Sequence, residues 1–249
     1  VVLRLENHDR IRCKPEYETA LLQDLEWLGF EPDLGKPAEF RAGACTYRQS
    51  DCELRYQKAL QTLLEKQLVY VCDCSRKSIL VRTEQIDAEE LRYDGHCRDR
   101  GLVDGPGKTL RIRIPDRVVE FDDVLLGKQT QHPASQIGDF AIRDNHGHWT
   151  YQFAVVVDDL AQAINMIIRG MDILSSTGRQ ILLGEMLGQI HLPIYLHHPL
   201  LVDENGQKLS KRDFSKDIHQ RNMSGESAKS VLAEARTLGG ESLILLGPD

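Results

Sequence analysis

Cys72-Asp73-Cys74, followed by Cys97, sets three soft donors in the pattern of a metal knuckle with a returning loop. Zinc takes four ligands in a tetrahedron, commonly thiolates and imidazoles. Two neighbours could complete the set. His96 offers the usual imidazole but adjoins Cys97, whereas Tyr93 lies four residues before Cys97, with Gly95 between them to allow a turn. The same thiols would also suit an apolar core, since free cysteine is among the most buried residue types. Cys13, Cys45 and Cys52 lack such company and read as structural.

A second cluster is cationic. Lys208-Leu209-Ser210-Lys211-Arg212 follows a tight turn at Glu204-Asn205-Gly206 and places three cations within five residues. On a loop, ammonium groups so spaced can neutralise charge that builds in phosphoryl or nucleotidyl transfer. A solvated basic loop has the same composition, and the spacing is not that of a P-loop. Glu6, Tyr151 and Arg169 are candidates for gripping a small polar ligand. Arg169 follows Met166-Ile167-Ile168, so its guanidinium leaves a run read as a buried strand. Such a charge needs a partner: a structural acid, for which Asp158 and Asp159 are candidates, or a ligand carboxylate. Trp149 and Phe153 read as core.

The elements that must position these groups alternate. Val1 to Leu5 reads as a buried strand ending at Glu6, and chemistry often sits at strand ends in α/β sheets. Pro15 opens a helix with Tyr17, Leu21, Leu25 and Leu28 on one face and Gly29 as its stop. A second helix follows Ser50-Asp51-Cys52-Glu53, read as a capping box, with Tyr56, Leu60 and Leu63 as its apolar stripe. From Leu68 to about His148 the texture changes to short β-like pieces at Val69 to Val71, Thr109 to Ile114, Val118 to Phe121 and Asp139 to Ile142, separated by glycines and prolines. This predicts an inserted subdomain. Alternation resumes with an apolar run from Trp149 to Val157, a turn at Asp158-Asp159, a strand at Asn165 to Arg169 and a helix from Gln180 to Leu187. Ile194 to Val202 is a further apolar segment, and Ser227 to Leu238 a last helix.

With 249 residues, 41% hydrophobic and 28% charged, the chain has the balance of a globular protein and is too apolar for a disordered one. No run approaches the roughly 18 apolar residues needed for a membrane span, so no membrane partner is expected. A formal charge of −7 means that any RNA must be met by a local basic face, for which Arg98 and Arg100 are candidates. Six cysteines without a secretory leader predict a reducing, cytoplasmic setting. Val1 stands inside an apolar run, which predicts a segment upstream.

LRLENHDR with KPEYETALLQDLEWLGFEPD (Leu3 to Asp33), YRQSDCELRY (Tyr47 to Tyr56), CDC with RYDGHCR, the stretch from Asp139 to Gly188 with YQFAVVVDD, IIRG and STGRQILLGEMLG, and QKLSKR together resemble class I glutamyl-tRNA synthetases. Among these the resemblance is greatest to the glutamyl-queuosine tRNA(Asp) synthetases. It implies an α/β fold: a Rossmann-like parallel-sheet core, 1–67 and 149–205, interrupted by a zinc-binding α+β subdomain of acceptor-stem type, 68–148, with a KMSKS-type loop and helical segment at 206–249. It implies an adenylate-forming ligase that activates L-glutamate with ATP and Mg²⁺, then transfers it to queuosine in the anticodon loop of tRNA(Asp), acting as a monomer.

Residue by residue, the resemblance places Glu6 at the substrate ammonium, Tyr151 and Arg169 in the amino-acid pocket and Lys211 at the ATP phosphates, where Lys208 can assist. Its zinc ligands fall on Cys72, Cys74, Tyr93 and Cys97, with a structural Zn²⁺. The HIGH-type ATP motif should precede Val1, so the chain alone is expected to give little ATP–pyrophosphate exchange. Asn7 and His8 replace the usual Asp-Thr, Leu209 stands for Met, and Arg212 stands for the final Ser, as in full-length enzymes. The alternatives are a glutamyl-tRNA(Glu) synthetase fragment, or a zinc-stabilised RNA-binding module without catalysis.

Overall fold

A computed structural model describes residues 1–8, 13–84, 90–200 and 217–239. In chain order the elements are α1 (Pro15–Trp27), α2 (Pro37–Arg41), α3 (Glu53–Glu65), β1 (Val69–Cys72), α4 (Arg76–Thr83), β2 (Thr109–Ile112), β3 (Val119–Asp123), β4 (Gly127–Gln131), α5 (Pro133–Gln136), β5 (Ala141–Arg143), α6 (Tyr151–Ala161), β6 (Met166–Gly170), α7 (Thr177–Met186), β7 (Ile194–His198), α8 (Ile218–Met223) and α9 (Ala228–Gly239). They fall into two compact units. One comprises Val1–Asp51, Ile168–Leu174 and Leu196–Asp249; the other comprises Cys52–Ile167 and Ser175–Tyr195. This division differs from the segmentation read from the sequence, because α3 and α6 belong to the same unit as the β-rich stretch.

In the first unit, the leading segment is extended but forms two isolated parallel bridges, Val2 with Leu34 and Leu5 with Arg48, in place of the expected continuous strand. Leu3 N–H donates to the Leu34 carbonyl at 3.0 Å and Leu5 N–H to that of Tyr47 at 2.9 Å. Gly35 lies at φ +72°, and a Cβ there would overlap the Leu3 carbonyl oxygen. Gly35→Ala should therefore lower the unfolding midpoint well beyond Gly29→Ala, whose φ of +78° is similar but whose Cβ would meet open space. The latter costs only the left-handed backbone penalty of about 1–2 kcal/mol. Equal midpoints in a thermal melt would refute the clash.

Pro15 opens α1, and Gly29 follows its end at positive φ, as the sequence indicates. The buried face differs from the expected stripe: Leu22 and Asp24 are inside, while Tyr17 and Leu21 are exposed. Asp24 is held there by His219 Nδ1 and Asn222 Nδ2 of α8, each at 3.1 Å. A contact nearly two hundred residues away in the chain leaves no trace in local periodicity.

The second unit carries an antiparallel three-stranded sheet in the order β1-β2-β5. A four-stranded sheet runs β4-β3-β7-β6, with β3 antiparallel to β4 and parallel to β7. The expected parallel sheet is thus mixed. Its antiparallel member β4, Gly-Lys-Gln-Thr-Gln, has no apolar alternation to announce it. The hairpin closes because Asp123 Oδ1 accepts from the N–H groups of Leu125 and Leu126, both at 3.0 Å, with Gly127 at φ +69°.

Two local expectations are corrected. The capping box at Ser50 to Glu53 does not form: Cys52 occupies the cap without a side-chain bond, and the Glu53 carboxylate accepts from Trp149 Nε1 at 2.8 Å and Gln57 Nε2 at 2.7 Å. The Ala-Val-Val-Val-Asp-Asp stretch, read as an apolar run and a turn, is the body of α6, buried from Phe153 through Asp159. A helix apolar on every side loses its period, and valine's β preference completes the mimicry. Asp158 is tolerated there because it pairs with Arg55 and accepts from Tyr56 Oη at 2.9 Å. Trp149 stacks on Phe153 with centroids 4.9 Å apart, both in the core as expected. Among the described residues, no helix is long and apolar enough to cross a membrane.

Candidate functional site

Two chain stretches converge on one sulfur cluster. β1 delivers Cys72 at its last position, Cys74 precedes the Ser75 cap of α4, and the stretch after Glu90 brings Tyr93 and Cys97. Ser75 Oγ accepts from Ser78 N–H at 3.1 Å, which fixes where α4 starts. Tyr93 is tied to the backbone by its N–H bond to the Ile137 carbonyl at 2.8 Å, and Gly138 sits so close that a Cβ would overlap the Tyr93 carbonyl oxygen. Tyr70, Ile79, Leu91 and Leu102 enclose the group.

The three Sγ atoms lie within 4.8 Å of one another, Cys74 and Cys97 at 3.4 Å. Tyr93 Oη is 3.4 Å from Cys72 Sγ and 3.9 Å from Cys74 Sγ, and Cys97 N–H donates to it at 2.8 Å. A tetrahedral ion with Zn–S near 2.3 Å needs sulfurs about 3.8 Å apart, so the donors are already close to the required spacing. Of the two candidate fourth ligands, Tyr93 is buried within the cluster and His96 is exposed. The donor set fits zinc. In the thiol form, burial works to raise Cys72, but hydrogen bonds from Tyr93 and Arg111 outweigh it and hold the thiol below its ordinary value. Burial, then the Cys97 contact, pushes Cys74 up to about 11. Burial also raises the Tyr93 phenol. None of the six cysteines is in a disulfide.

The other candidate residues do not belong to this cluster. Glu6, in the first unit, is exposed, ion-paired with Arg4 at 3.0 Å, and lines a concavity of about 870 Å³ with Asn7, Glu18, Arg48 and Ser50. Arg48 is held there by Glu18 and by Asp51, the latter at 2.7 Å. Arg169, also in the first unit, is the fourth residue of β6 and donates through Nε to Nε2 of the fully buried His197 at 3.0 Å. The strand before it is only half-buried, with Ile168 50% exposed, because β6 stands at the sheet edge among the described residues. Tyr151, in the second unit, opens α6. Lys208 and Lys211 lie outside the described residues. Arg98 and Arg100, read as an RNA-facing pair, are engaged with Asp139 at 3.3 Å and Asp73 at 2.8 Å.

Sequence reasoning missed His197, and it missed Arg82 and Arg111 beside the sulfurs. Arg82 reaches Cys74 Sγ from the last turn of α4 at 3.4 Å, and Arg111 stacks its guanidinium 3.8 Å above the Tyr93 ring from β2. Neither has a spacing signal linking it to the cysteines.

Residues 1–239 match the family described as tRNA synthetases class I (E and Q), catalytic domain. A glutamyl-Q tRNA(Asp) synthetase of Nitratidesulfovibrio vulgaris is 37% identical over 253 residues, covering 96% of this chain and 76% of that protein. A glutamate–tRNA ligase of Frankia alni is 38% identical, covering 85% of this chain and 43% of its own length. The crystal structure of a glutamate tRNA ligase from Elizabethkingia meningosepticum in complex with its amino acid superposes with a TM-score of 0.70 at 27% identity, over 85% of this chain and 45% of that one. The chain belongs to the class I tRNA synthetases of the E and Q family, whose catalytic domain it matches over nearly its whole length.

Proposed function

We propose that this chain activates L-glutamate with ATP and Mg²⁺ and passes the glutamyl group to queuosine in the anticodon loop of tRNA(Asp). The observation that carries the reading is the 37–39% identity to proteins named glutamyl-Q tRNA(Asp) synthetase, extending over 96% of the chain in two of them. In the first step the glutamate α-carboxylate attacks the α-phosphorus of ATP and pyrophosphate leaves. In the second, an acceptor hydroxyl attacks the acyl carbon, loses its proton and releases AMP.

Each residue answers one demand of that chemistry. Two anions must be brought together, so cations must screen the triphosphate while charge grows at phosphorus, the role given to Lys211 with Lys208. Glu6, exposed at the end of the leading segment, offers an anion to the substrate ammonium. Arg169, its Nε committed to His197, presents a guanidinium plane of fixed orientation to a carboxylate. Tyr151 adds a phenol from the start of α6. Zn²⁺ at Cys72, Cys74, Tyr93 and Cys97 would be structural, since four protein donors fill its coordination.

The similarity to glutamate–tRNA ligases supports a second reading, in which the acceptor is tRNA(Glu). The test offers the full-length protein labelled glutamate, ATP and Mg²⁺ with tRNA(Asp) that does or does not carry queuosine, and with tRNA(Glu). Label should enter only queuosine-bearing tRNA(Asp). Label in tRNA(Glu) alone would establish the second reading, and no ATP–pyrophosphate exchange with glutamate would leave a non-catalytic RNA-binding module.

A further inference from the structure

We propose that Arg82, Arg100 and Arg111 form a guanidinium collar that retains the metal at Cys72, Cys74, Tyr93 and Cys97, with Arg100 contributing most. The proposal rests on the zinc reading above. Three thiolates against Zn²⁺ leave one excess negative charge before Tyr93 is counted, and metal-bound cysteines are thiolates. Two acids lie alongside. Asp73 Oδ1 is 3.3 Å from Cys97 Sγ, and Asp94 adjoins Tyr93 in the chain. A carboxylate so near a thiolate opposes metal binding unless a cation touches both.

Arg100 does so: Nη1 is 2.8 Å from Asp73 Oδ1 and 3.3 Å from Cys97 Sγ. Lys108 Nζ stands farther off, 3.8 Å from the other Asp73 oxygen. Arg82 repeats the arrangement, with Nε and Nη2 on the two oxygens of Asp94 at 2.6 and 3.1 Å and Nη2 also 3.4 Å from Cys74 Sγ. Arg111 lies over the Tyr93 ring and is anchored by the Asp139 carbonyl at 2.9 Å. Cys74, Cys97 and the Tyr93 ring thus each have a guanidinium against them, and each guanidinium has its own anchor. Ordinary half-exposed ion pairs would be indifferent to metal. A charge-matched outer shell is not, and losing one member of such a shell weakens metal binding by about 10–100-fold.

The experiment measures zinc content of the purified full-length protein by elemental analysis, then the rate of zinc transfer to the chelator 4-(2-pyridylazo)resorcinol. Arg100→Gln should release zinc at least about tenfold faster than the parent, and Arg82→Gln should also be faster. Arg41→Gln, which breaks a bidentate pair with Glu26 in the other compact unit, should match the parent. Adding Asp73→Asn to Arg100→Gln should recover part of the loss, because the carboxylate then no longer opposes the thiolate. Metal-free parent and variants should melt together, which a purely structural role would not allow. A zinc-bearing parent whose Arg100→Gln and Arg82→Gln forms release metal at the parental rate overturns the collar alone. A parent without zinc overturns the zinc reading and the collar with it. Should Arg100→Gln not fold, Arg82→Gln against Arg41→Gln decides the same question.

Discussion

Replacing Arg169 with alanine should raise the glutamate concentration needed for half-maximal ATP–pyrophosphate exchange about a hundredfold in the full-length protein, while the ATP requirement stays within about threefold. Hydrogen bonds from a guanidinium to a carboxylate contribute roughly 1.5–3 kcal/mol each, and two lost together reach this scale at 1.4 kcal/mol per tenfold. Arg169→Lys should recover little, because an ammonium cannot reproduce a fork whose plane is set through Nε by His197. The ratio of the two requirements is the deciding quantity. If both rise in parallel, Arg169 serves β6 and not the substrate.

Cys97→Ala should abolish zinc binding and lower the unfolding midpoint by about 10 °C, against a much smaller shift for Cys45→Ala. Both thiols are buried, Cys97 at 1% and Cys45 at 6% exposure, so the packing lost is comparable. Only Cys97 belongs to the sulfur cluster. Structural zinc contributes apparent energies of about 10–16 kcal/mol in isolated peptides. Here the enclosing apolar residues retain part of the fold without metal, so a loss of about 3–4 kcal/mol is expected, at 2–4 °C per kcal/mol for a chain of this size. Elemental analysis should find about one zinc per parent chain and none in Cys97→Ala. Matching shifts for the two variants, with no metal in the parent, would return the cysteines to the core.

The sulfur cluster was legible because a metal knuckle is local: Cys72 and Cys74 flank one residue, and Tyr93 and Cys97 flank one turn. Spacing left Tyr93 and His96 open as the fourth donor, and burial separates them. The arginines around the cluster could not be read, since Arg82 and Arg111 arrive from a helix and a strand whose approach only the fold sets. Helices with one apolar face were found where they stand, as α3 shows with Tyr56, Leu60 and Leu63. α6 was misread because it is buried all round, and β4 was missed because it has almost no apolar residues. The face of α1 was misassigned because its buried carboxylate answers to α8. For α1 and α6 the deciding partner lies far along the chain, whereas β4 pairs with its immediate neighbour β3 and simply lacks an apolar pattern.

The donors of the cluster come from two short stretches, Cys72 to Cys74 and Tyr93 to Cys97, and everything between them is a closed excursion pinned at both ends. Loop-closure entropy grows only logarithmically, so doubling such an excursion adds about 0.6 kcal/mol. A change in the number of residues between Cys74 and Tyr93 should thus cost far less metal affinity than a change in the spacing inside either pinned stretch.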